Sequence, residues 1–573
     1  MKSCPNKRPM RPLKATLLFL IVISSQWLNF QCGTKNPVTS QIIDNITIQY
    51  RDDINQDQVW SADSIHVIVN PISVRHAILR IEPGTIVKFE SDAALSILDS
   101  AGLIADGSIK EINFTSDIKE KGSWKYIYFS GQALHDSCRL IKCSFEYGGG
   151  DSVRSGIIFC DGASPTIQSC TIKNSANCGV VFWGDCHESR FDSNLIANCN
   201  FVPVQTYPIN VSLLSGNSYQ DNGLNHIRII HRLIDFSVAW ENLSLPYRLA
   251  DGLEIKGGKL VLDAGVNLIF EDHEDAIVSE KGILEANGTP TNRVIFTGAG
   301  GKTWQGIHFE ATADFQNSRF VHCVIENGGH DTDYPANVIL DNGIPEFSDC
   351  IIHLSAGYGI YMSGNLAANI FSNNIITRNA FAPVSLPANG VPALAAGQYH
   401  GNGVDVIEVR GGQIEGEVTR NGYWQNLGIP YLIQNTIDIN FGKITFAPGV
   451  EIAMADRSRF IVRNGGGLIA DGTFLPIKIT CAQPGAGNWD NIYFSPTAAA
   501  NDCQLINCFI SYGGGDASLP GMIYCDNVSP TIKSCFIEHS QTWGIYLNGN
   551  ARIFDLATNF FQGNVYGDFY RSP

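Results

Sequence analysis

The fold is decided by residues 140–147, whose sequence Leu-Ile-Lys-Cys-Ser-Phe-Glu-Tyr alternates apolar and polar side chains along one short strand. The pattern returns at residues 167–174 as Ile-x-x-Cys-x-Ile-x-Asn and at residues 191–198 as Phe-x-x-Asn-x-Ile-x-Asn. The aligned residues Cys143, Cys170 and Asn194 are 170 − 143 = 27 and 194 − 170 = 24 residues apart. Short strands recurring at such intervals, with Gly, Asn and Pro between them, predict the coils of a β-solenoid.

Alternation along each strand decides which side chains enter the core. It predicts that Ile141, Cys143 and Phe145 point inward, while Lys142 and Ser144 point to solvent. On successive coils the Cys and Asn positions would stack into internal ladders. Cys suits a crowded stack because it is small and apolar, and stacked Asn amides can hydrogen-bond to one another.

A longer repeat divides the chain into blocks. Trp60, Trp240 and Trp424 head similar segments, at intervals of 240 − 60 = 180 and 424 − 240 = 184 residues. Similar offsets relate the motifs that begin at Trp124 (WKYIYF), Trp304 (WQGIHF) and Trp489 (WDNIYF), and the aspartates Asp161, Asp341 and Asp526. The repeat predicts three homologous multi-coil blocks, residues 60–239, 240–423 and 424–573, of which the third is truncated.

The repeated motifs resemble the pectin-lyase-like right-handed parallel β-helix, and especially exported repeat proteins of the Bacteroidota type. The resemblance covers the chain from about residue 60 to the end and rests on Pro83–Phe89, Ile112–Ser116, Trp124–Phe129, Cys143–Gly149 and Pro165–Cys170. It implies an all-β protein with one long right-handed solenoid. It does not choose a function, because this architecture carries lyases, hydrolases, adhesins and inert stalks.

The N-terminus is typical of an exported protein. A basic segment precedes the apolar run Leu17–Ile23, which has the length of a signal-peptide core, so residues 1–31 are predicted to be a signal peptide. Cys32 is then a candidate lipidation site, although Phe30 and Gln31 replace the small residues that usually precede such a cysteine. Residues 32–59 would be a tether and N-terminal cap. We expect an outer-membrane or cell-surface lipoprotein, or a secreted or periplasmic protein, that meets the membrane only through a lipid anchor.

Charge and cysteine spacing exclude several partners. The formal net charge is −16 and no basic stripe is present, so nucleic acid is not expected to bind. No Cys/His set has zinc spacing. We expect no metal or other cofactor, with Ca²⁺ at acidic Gly-rich turns as the open alternative. Four cysteines occur together in blocks one and three and are replaced by Ser318 and Leu340 in block two; disulfides and buried thiols both explain Cys138, Cys160, Cys503 and Cys525.

Three features stand out as candidate sites. The Gly-rich turns that end in Asp151, Asp331 and Asp516 recur in every block, which favours a structural turn over a catalytic acid. The acidic run 271–275 is typical of a solvated loop. A set unique to block one combines an aromatic ring with acids and bases, and we take it as a candidate sugar-binding site, with a solvated turn as the alternative: Trp183, Asp185, His187, Glu188 and Arg190.

Near-equal blocks without a long inserted loop favour a non-enzymatic binding or adhesive scaffold, with a polysaccharide or cell-surface glycan as the possible partner. The alternatives are a polysaccharide lyase or glycoside hydrolase acting on a long polymer in a groove, and a purely structural spacer. Of the motifs usual in pectinases of this fold, only an Asp-Asp pair occurs, at Asp52 and Asp53, and it precedes the blocks. No catalytic residue is therefore assigned.

Overall fold

A computed structural model describes residues 46–330, 333–366, 369–412, 415–483, 485 and 488–572. These residues form one right-handed parallel β-solenoid of about 21 turns, which confirms the predicted fold class. At a strand spacing of about 4.8 Å, such a solenoid is about 100 Å long. The proposed signal peptide, Cys32 and most of the tether lie outside the described residues.

The strands and 3₁₀ helices up to the end of the first block are β1 (Ile46–Tyr50), β2 (Gln58–Trp60), β3 (Ser64–Ile68), β4 (Ile72–Val74), β5 (Ile78–Ile81), β6 (Ile86–Phe89), β7 (Leu95–Ile97), β8 (Gly102–Asp106), β9 (Ile112–Thr115), β10 (Ile127–Ser130), η1 (His135–Ser137), β11 (Cys138–Ile141), β12 (Cys143–Glu146), β13 (Gly156–Asp161), β14 (Thr166–Gln168), β15 (Thr171–Lys173), β16 (Cys178–Trp183), β17 (Arg190–Asp192), β18 (Leu195–Ala197), β19 (Val204–Thr206), η2 (Pro208–Leu214), β20 (Ser218–Gln220), β21 (Ile227–Ile229) and β22 (Leu233–Ile234).

Those of the second block are β23 (Ser237–Trp240), β24 (Tyr247–Leu249), β25 (Leu253–Lys256), β26 (Lys259–Leu262), β27 (Asn267–Phe270), β28 (Asp275–Ser279), β29 (Ile283–Asn287), β30 (Val294–Gly298), η3 (Ala299–Gly301), β31 (Gly306–Phe309), β32 (Arg319–Val321), β33 (Cys323–Glu326), β34 (Ala336–Asp341), β35 (Glu346–Ser348), β36 (Ile351–His353), β37 (Tyr358–Ser363), β38 (Phe371–Ser372), β39 (Ile375–Thr377), β40 (Val384–Pro387), η4 (Ala388–Ala393), β41 (Ile407–Arg410) and β42 (Glu417–Val418).

Those of the third block are β43 (Asn421–Trp424), β44 (Tyr431–Ile433), β45 (Ile437–Asn440), β46 (Lys443–Phe446), β47 (Glu451–Met454), β48 (Phe460–Arg463), β49 (Gly467–Asp471), β50 (Ile477–Cys481), β51 (Ile492–Phe494), η5 (Ala500–Asp502), β52 (Cys503–Ile506), β53 (Cys508–Ser511), β54 (Gly521–Asp526), β55 (Thr531–Lys533), β56 (Phe536–Glu538), β57 (Trp543–Asn548), η6 (Leu556–Thr558), β58 (Phe560–Gln562) and β59 (Gly567–Arg571).

Each turn contributes three strands to three parallel sheets. In the first block, first strands such as β9 and β12, second strands such as β10 and β13, and third strands such as β11 and β14 stack in separate sheets. Sheets of 13 and 14 strands, from β4 to β39 and from β22 to β58, run across the predicted block boundaries. The boundaries remain a division of the sequence, and the solenoid is continuous through them.

Equivalent strands of successive blocks do not lie in the same sheet. The second strands β10, β31 and β51 belong to three different sheets. First strands of block two continue the sheet of second strands of block one, since β21 pairs with β24. First strands of block three likewise continue the second-strand sheet of block two, since β40 pairs with β41 and β41 with β44. Each block is therefore displaced around the axis by one strand position in three.

The core confirms the Cys and Asn ladders. Cys143 and Cys170 are fully buried, and Asn194 sits on the next coil. Asn194 Oδ1 accepts from the Cys170 backbone N–H at 2.9 Å, and its Nδ2 donates to Ile167 O at 2.9 Å and to Asn217 Oδ1 at 3.0 Å. The stacked amides thus satisfy backbone groups inside the corners of successive coils.

The alternation prediction was wrong at the corner between β11 and β12. Lys142 has φ 49°, which turns the chain and resets the alternation there. Leu140 consequently enters the core, Ile141 is only half-buried, and Cys143 and Phe145 point inward as predicted. Ser144, predicted to face solvent, is also buried.

The Gly-rich turns are structural. A Cβ on Gly148 would lie 2.7 Å from Cε2 of Trp124, so this position needs glycine to let the buried ring pack. The ring Nε1 donates to Glu146 O at 2.8 Å. Asp151 Oδ1 accepts from the backbone N–H groups of the next residues, including Arg154 at 2.7 Å, as expected for a self-capping turn. Asp331 lies outside the described residues.

Candidate ligand-binding surface

The turn that follows β16 exposes all five candidate sugar-binding residues of block one. Asp185 and His187 contact each other, with 2.5 Å between Asp185 Oδ1 and His187 Nδ1. This contact raises the pKa of His187, and the nearby Glu188 adds to the effect. Arg190 instead donates from Nε to Asp192 on its own strand, at 2.8 Å. The turn therefore brings Asp185, His187 and Glu188 together and directs Arg190 elsewhere.

Trp183 belongs to an aromatic column that runs along the solenoid. Its side chain is 44% exposed, and its ring centroid lies 5.5 Å from that of Tyr207 on the next coil. Tyr207 in turn stacks on His231, at 5.0 Å and 11°. Asp161 pairs in register with Trp183, and Asp251 Oδ2 accepts from the His231 backbone N–H at 2.9 Å. The interval of 24 residues between these three rings was the signal that could have revealed the column.

The same strand carries the block-one part of a feature that recurs in every block. On the second-strand sheet, Tyr128 OH donates to Asp161 Oδ2 at 2.9 Å. Burial, followed by this contact with Asp161, raises the pKa of Tyr128 to about 12. The guanidinium of Arg154 lies over the Tyr128 ring at 4.3 Å and donates to Tyr126 OH at 3.0 Å. A ring, a carboxylate and a cation thus share one outward patch.

Block two repeats the ring and carboxylate at equivalent positions. His308 Nε2 lies 2.8 Å from Asp341 Oδ2, and the hydrogen bond lowers the pKa of Asp341. Further along this sheet the Tyr361 ring is covered by the guanidinium of Arg410 at 4.2 Å and lies 4.9 Å from Tyr334. The partners vary, but an aromatic ring paired with an aspartate 33 residues later is kept.

Block three extends the pair into a tyrosine row. Tyr493 OH donates to Asp526 Oδ2 at 3.2 Å. Tyr493, Tyr524, Tyr546 and Tyr570 then follow one another in register, with ring centroids 5.7, 4.9 and 5.1 Å apart. The equivalent outward positions are Tyr128, Phe159, Val181 and Gln205 in block one and His308, Ile339, Tyr361 and Ser385 in block two. We call these three sets rows 1, 2 and 3.

The rows combine apolar rings with hydrogen-bonding groups. Tyrosine offers a hydrophobic body with a hydroxyl that can donate or accept, and each row also holds a carboxylate acceptor. Such surfaces suit ligands that have both apolar C–H faces and many hydroxyl groups. In the described part of the chain, no group of three His, Cys, Asp or Glu residues is arranged to hold a metal ion.

The acidic run 271–275 is largely neutralised by bases. Glu271 Oε2 accepts from Arg248 Nη2 at 3.0 Å, and Asp275 pairs with Arg232 at 2.7 Å. Asp272 lies 3.3 Å from Lys302 Nζ. The pairing with Arg248 lowers the pKa of Glu271. These carboxylates tie adjacent coils together, in line with the structural interpretation of this run.

The four block-specific cysteines are separate buried thiols in the structure. Cys138 lies on a third strand and Cys160 on a second strand, so they occupy different sheets and do not stack in one ladder. Burial raises the pKa of Cys138 to about 11 and that of Cys503 to about 12, which keeps both thiols protonated and unreactive. Disulfides joining Cys138 to Cys160 and Cys503 to Cys525 remain a prediction from their co-occurrence.

No family model, no curated protein and no solved structure matches this chain. None of the helices in the described ranges has the length and apolar character needed to span a membrane.

Proposed function

We propose that this protein is an exported cell-envelope or surface β-helix that binds polysaccharide without cleaving it, through rows 1 to 3. The observation that carries the proposal is the pairing of an outward ring with an aspartate at the same place in all three blocks. Buried structural pairs need no further rings around them, yet each of these pairs has additional aromatic neighbours at the surface. The Trp183 column adds an exposed ring in block one.

The chemistry of the rows favours neutral polysaccharides. Asp161, Asp341 and Asp526 accept hydrogen bonds, and sugar hydroxyls are suitable donors. The net charge of −16 disfavours polyanions such as polyuronates, because like charges repel. The cations Arg154 and Arg410 are already engaged by tyrosine rings and, for Arg410, by Glu415. Row 3 has no cation among its four tyrosines.

The location of the protein is part of the same proposal. Its resemblance to pectin-lyase-like, Bacteroidota-type surface lipoproteins and its N-terminal signal-like segment support export. Lipidation at Cys32 would place the solenoid at the cell envelope, whereas release by an ordinary signal peptidase would leave it secreted or periplasmic.

Polysaccharide cleavage is the second candidate, because acids and a base converge in block two. Glu408 accepts from Tyr358 OH at 3.1 Å and from Ser385 Oγ at 2.8 Å, while Arg410 lies on the same strand. However, both oxygens of Glu415 accept from Arg410, at 2.8 and 2.9 Å. Glycoside hydrolysis usually needs two available carboxylates, and Glu415 is held by its ion pair. Binding is therefore the better-supported function.

The test uses affinity electrophoresis of the protein from residue 32 onward, with Cys32→Ser, in gels containing hydroxyethyl cellulose, galactomannan, dextran, alginate or polygalacturonate. We expect at least one neutral polymer to retard the protein and no new reducing or unsaturated ends to form. Tyr524→Thr/Tyr546→Thr should weaken retardation, since threonine keeps the strand propensity but removes the rings.

A matched control removes aromatic rings from another sheet of the same coils. Phe509 and Phe536 stack at 4.7 Å and are both 38% exposed, but they have neither hydroxyl nor aspartate partner. Phe509→Thr/Phe536→Thr should leave retardation unchanged. Loss of retardation in this control to the same extent would contradict a specific role for row 3, and release of chain ends would favour the enzyme.

A further inference from the structure

The three rows face three different sides of the solenoid. Row 1 lies in the sheet of β10, row 2 in that of β31 and row 3 in that of β51. Within a turn of block two, the chain passes from the sheet shared with row 1 to the sheet of row 2, because β24 is followed by β25. Within a turn of block three it passes from the row 2 sheet to the row 3 sheet, from β44 to β45. Each row is thus one face further around the axis than the one before.

The cause is a block length that is not a whole number of turns. From β10 to β31 the chain advances by 21 strands, and η2 occupies one further strand position, against β17 below and β23 above. These 22 positions equal seven turns of three plus one. In block two, η4 and the single bridge between Ile375 and Gln398 make up the same number between β31 and β51.

The axial distance between rows follows from the same count. Seven and one-third turns at about 4.8 Å per turn separate neighbouring rows by about 35 Å along the axis. A straight polymer chain lying on one face therefore meets only one row. The three rows could be filled by one chain only if that chain wound around the solenoid while advancing along it.

We infer that the protein bridges separate chains of a neutral polysaccharide, with one chain on each of three sides. This inference rests on the proposed function and adds its geometry. Because the rows are fixed on a continuous parallel solenoid, they cannot turn to face a common chain. Three rigidly separated sites on different sides favour cross-linking over the avid binding of one chain, since avidity requires a geometry that lets one ligand reach several sites.

The first measurement is stoichiometry. The hexasaccharide of whichever neutral backbone retards the protein (cellohexaose, mannohexaose or isomaltohexaose) is titrated calorimetrically into the Cys32→Ser protein. We expect three hexasaccharides per chain. Tyr128→Thr, Tyr361→Thr and Tyr546→Thr, one in each row, should each reduce the number to two, and any pair of these substitutions should reduce it to one.

The second measurement is cross-linking. Low-shear viscosity of the retained polymer is followed as protein is added, for the wild-type chain and for the double-row variants. We expect the wild type to raise the viscosity several-fold and the double-row variants to bind the polymer without raising it. Thermal unfolding of every variant, matched to Phe536→Thr, confirms that the solenoid persists.

The outcomes separate the two proposals. If no neutral polymer retards the wild type, the proposed function fails and the bridging inference falls with it. If a polymer is retained but one hexasaccharide binds per chain, or if double-row variants cross-link as well as the wild type, binding stands and bridging is overturned.

Discussion

Removing the amide of Asn194 tests how the solenoid satisfies its corners. Asn194→Ala leaves the Cys170 N–H and the Ile167 carbonyl without their partners, each now 2.9 Å from an Asn194 side-chain atom. An unsatisfied buried backbone group costs about 1–3 kcal/mol, so the two together predict about 2–6 kcal/mol of local destabilisation. Because a long solenoid need not unfold in two states, the effect is best read locally. Exchange of the Cys170 amide hydrogen should accelerate about thirty-fold or more.

An isosteric variant separates hydrogen bonding from packing. Asn194→Asp keeps an acceptor for Cys170 but turns its second oxygen toward Ile167 O and Asn217 Oδ1, where only a protonated acid can donate. Its pKa in the folded chain should therefore exceed the unfolded value of about 3.9. Stability of this variant is greatest below about pH 4 and is lost as pH rises through the raised folded pKa.

The control is Gln220→Ala, because Gln220 is exposed on the sheet of β18 and bonds only Ser218 Oγ, at 3.0 Å. It should leave exchange of the Cys170 amide within two-fold of the wild type. The reasoning is refuted if Asn194→Ala is equally silent, or if Asn194→Asp is as stable at pH 7 as at pH 4.

Three further results are expected. Gly513→Ala places a Cβ 2.5 Å from Cε2 of the buried Trp489 ring and should destabilise block three by about 1–3 kcal/mol, seen as an earlier thermal transition in tryptophan fluorescence; an unchanged midpoint contradicts the packing. The unfolded Cys32→Ser protein from residue 32 should titrate 14 thiols, as the structure has them, whereas 14 − 4 = 10 would establish the two predicted disulfides. The pKa of His187, followed by NMR, should lie above its ordinary value and return toward it in Asp185→Asn; the contact stabilises the turn below pH 6.5 and is lost as pH rises through the raised pKa.

Much of the architecture could be predicted because the solenoid repeats its physical constraints in every coil. The interval between Cys143, Cys170 and Asn194 reports the length of a coil, and stacking forces the same residue types into the same corners. Alternation failed at Ile141 because it assumes an unbroken strand, whereas Lys142 adopts a positive φ and turns the chain.

The displacement of the blocks could not be predicted from their spacing. An interval of 180 residues gives no whole or fractional number of turns until each coil length is known, and η2 occupies a strand position without the pattern of a strand. The candidate site was predicted only at Trp183. Tyr128 and Asp161 lie in motifs recognised as repeats, but their contact depends on how a second strand stacks on the next, 33 residues later.

Hydroxyl-radical footprinting of the wild-type protein, with and without the neutral polymer that retards it, tests the central claim most directly. The account predicts that bound polymer protects Tyr128, Tyr361 and Tyr546 from oxidation while the exposed rings of Phe509 and Phe536 remain as reactive as before. Equal protection of both sets, or no protection of the tyrosines under conditions that retain the protein, would contradict glycan binding by these rows.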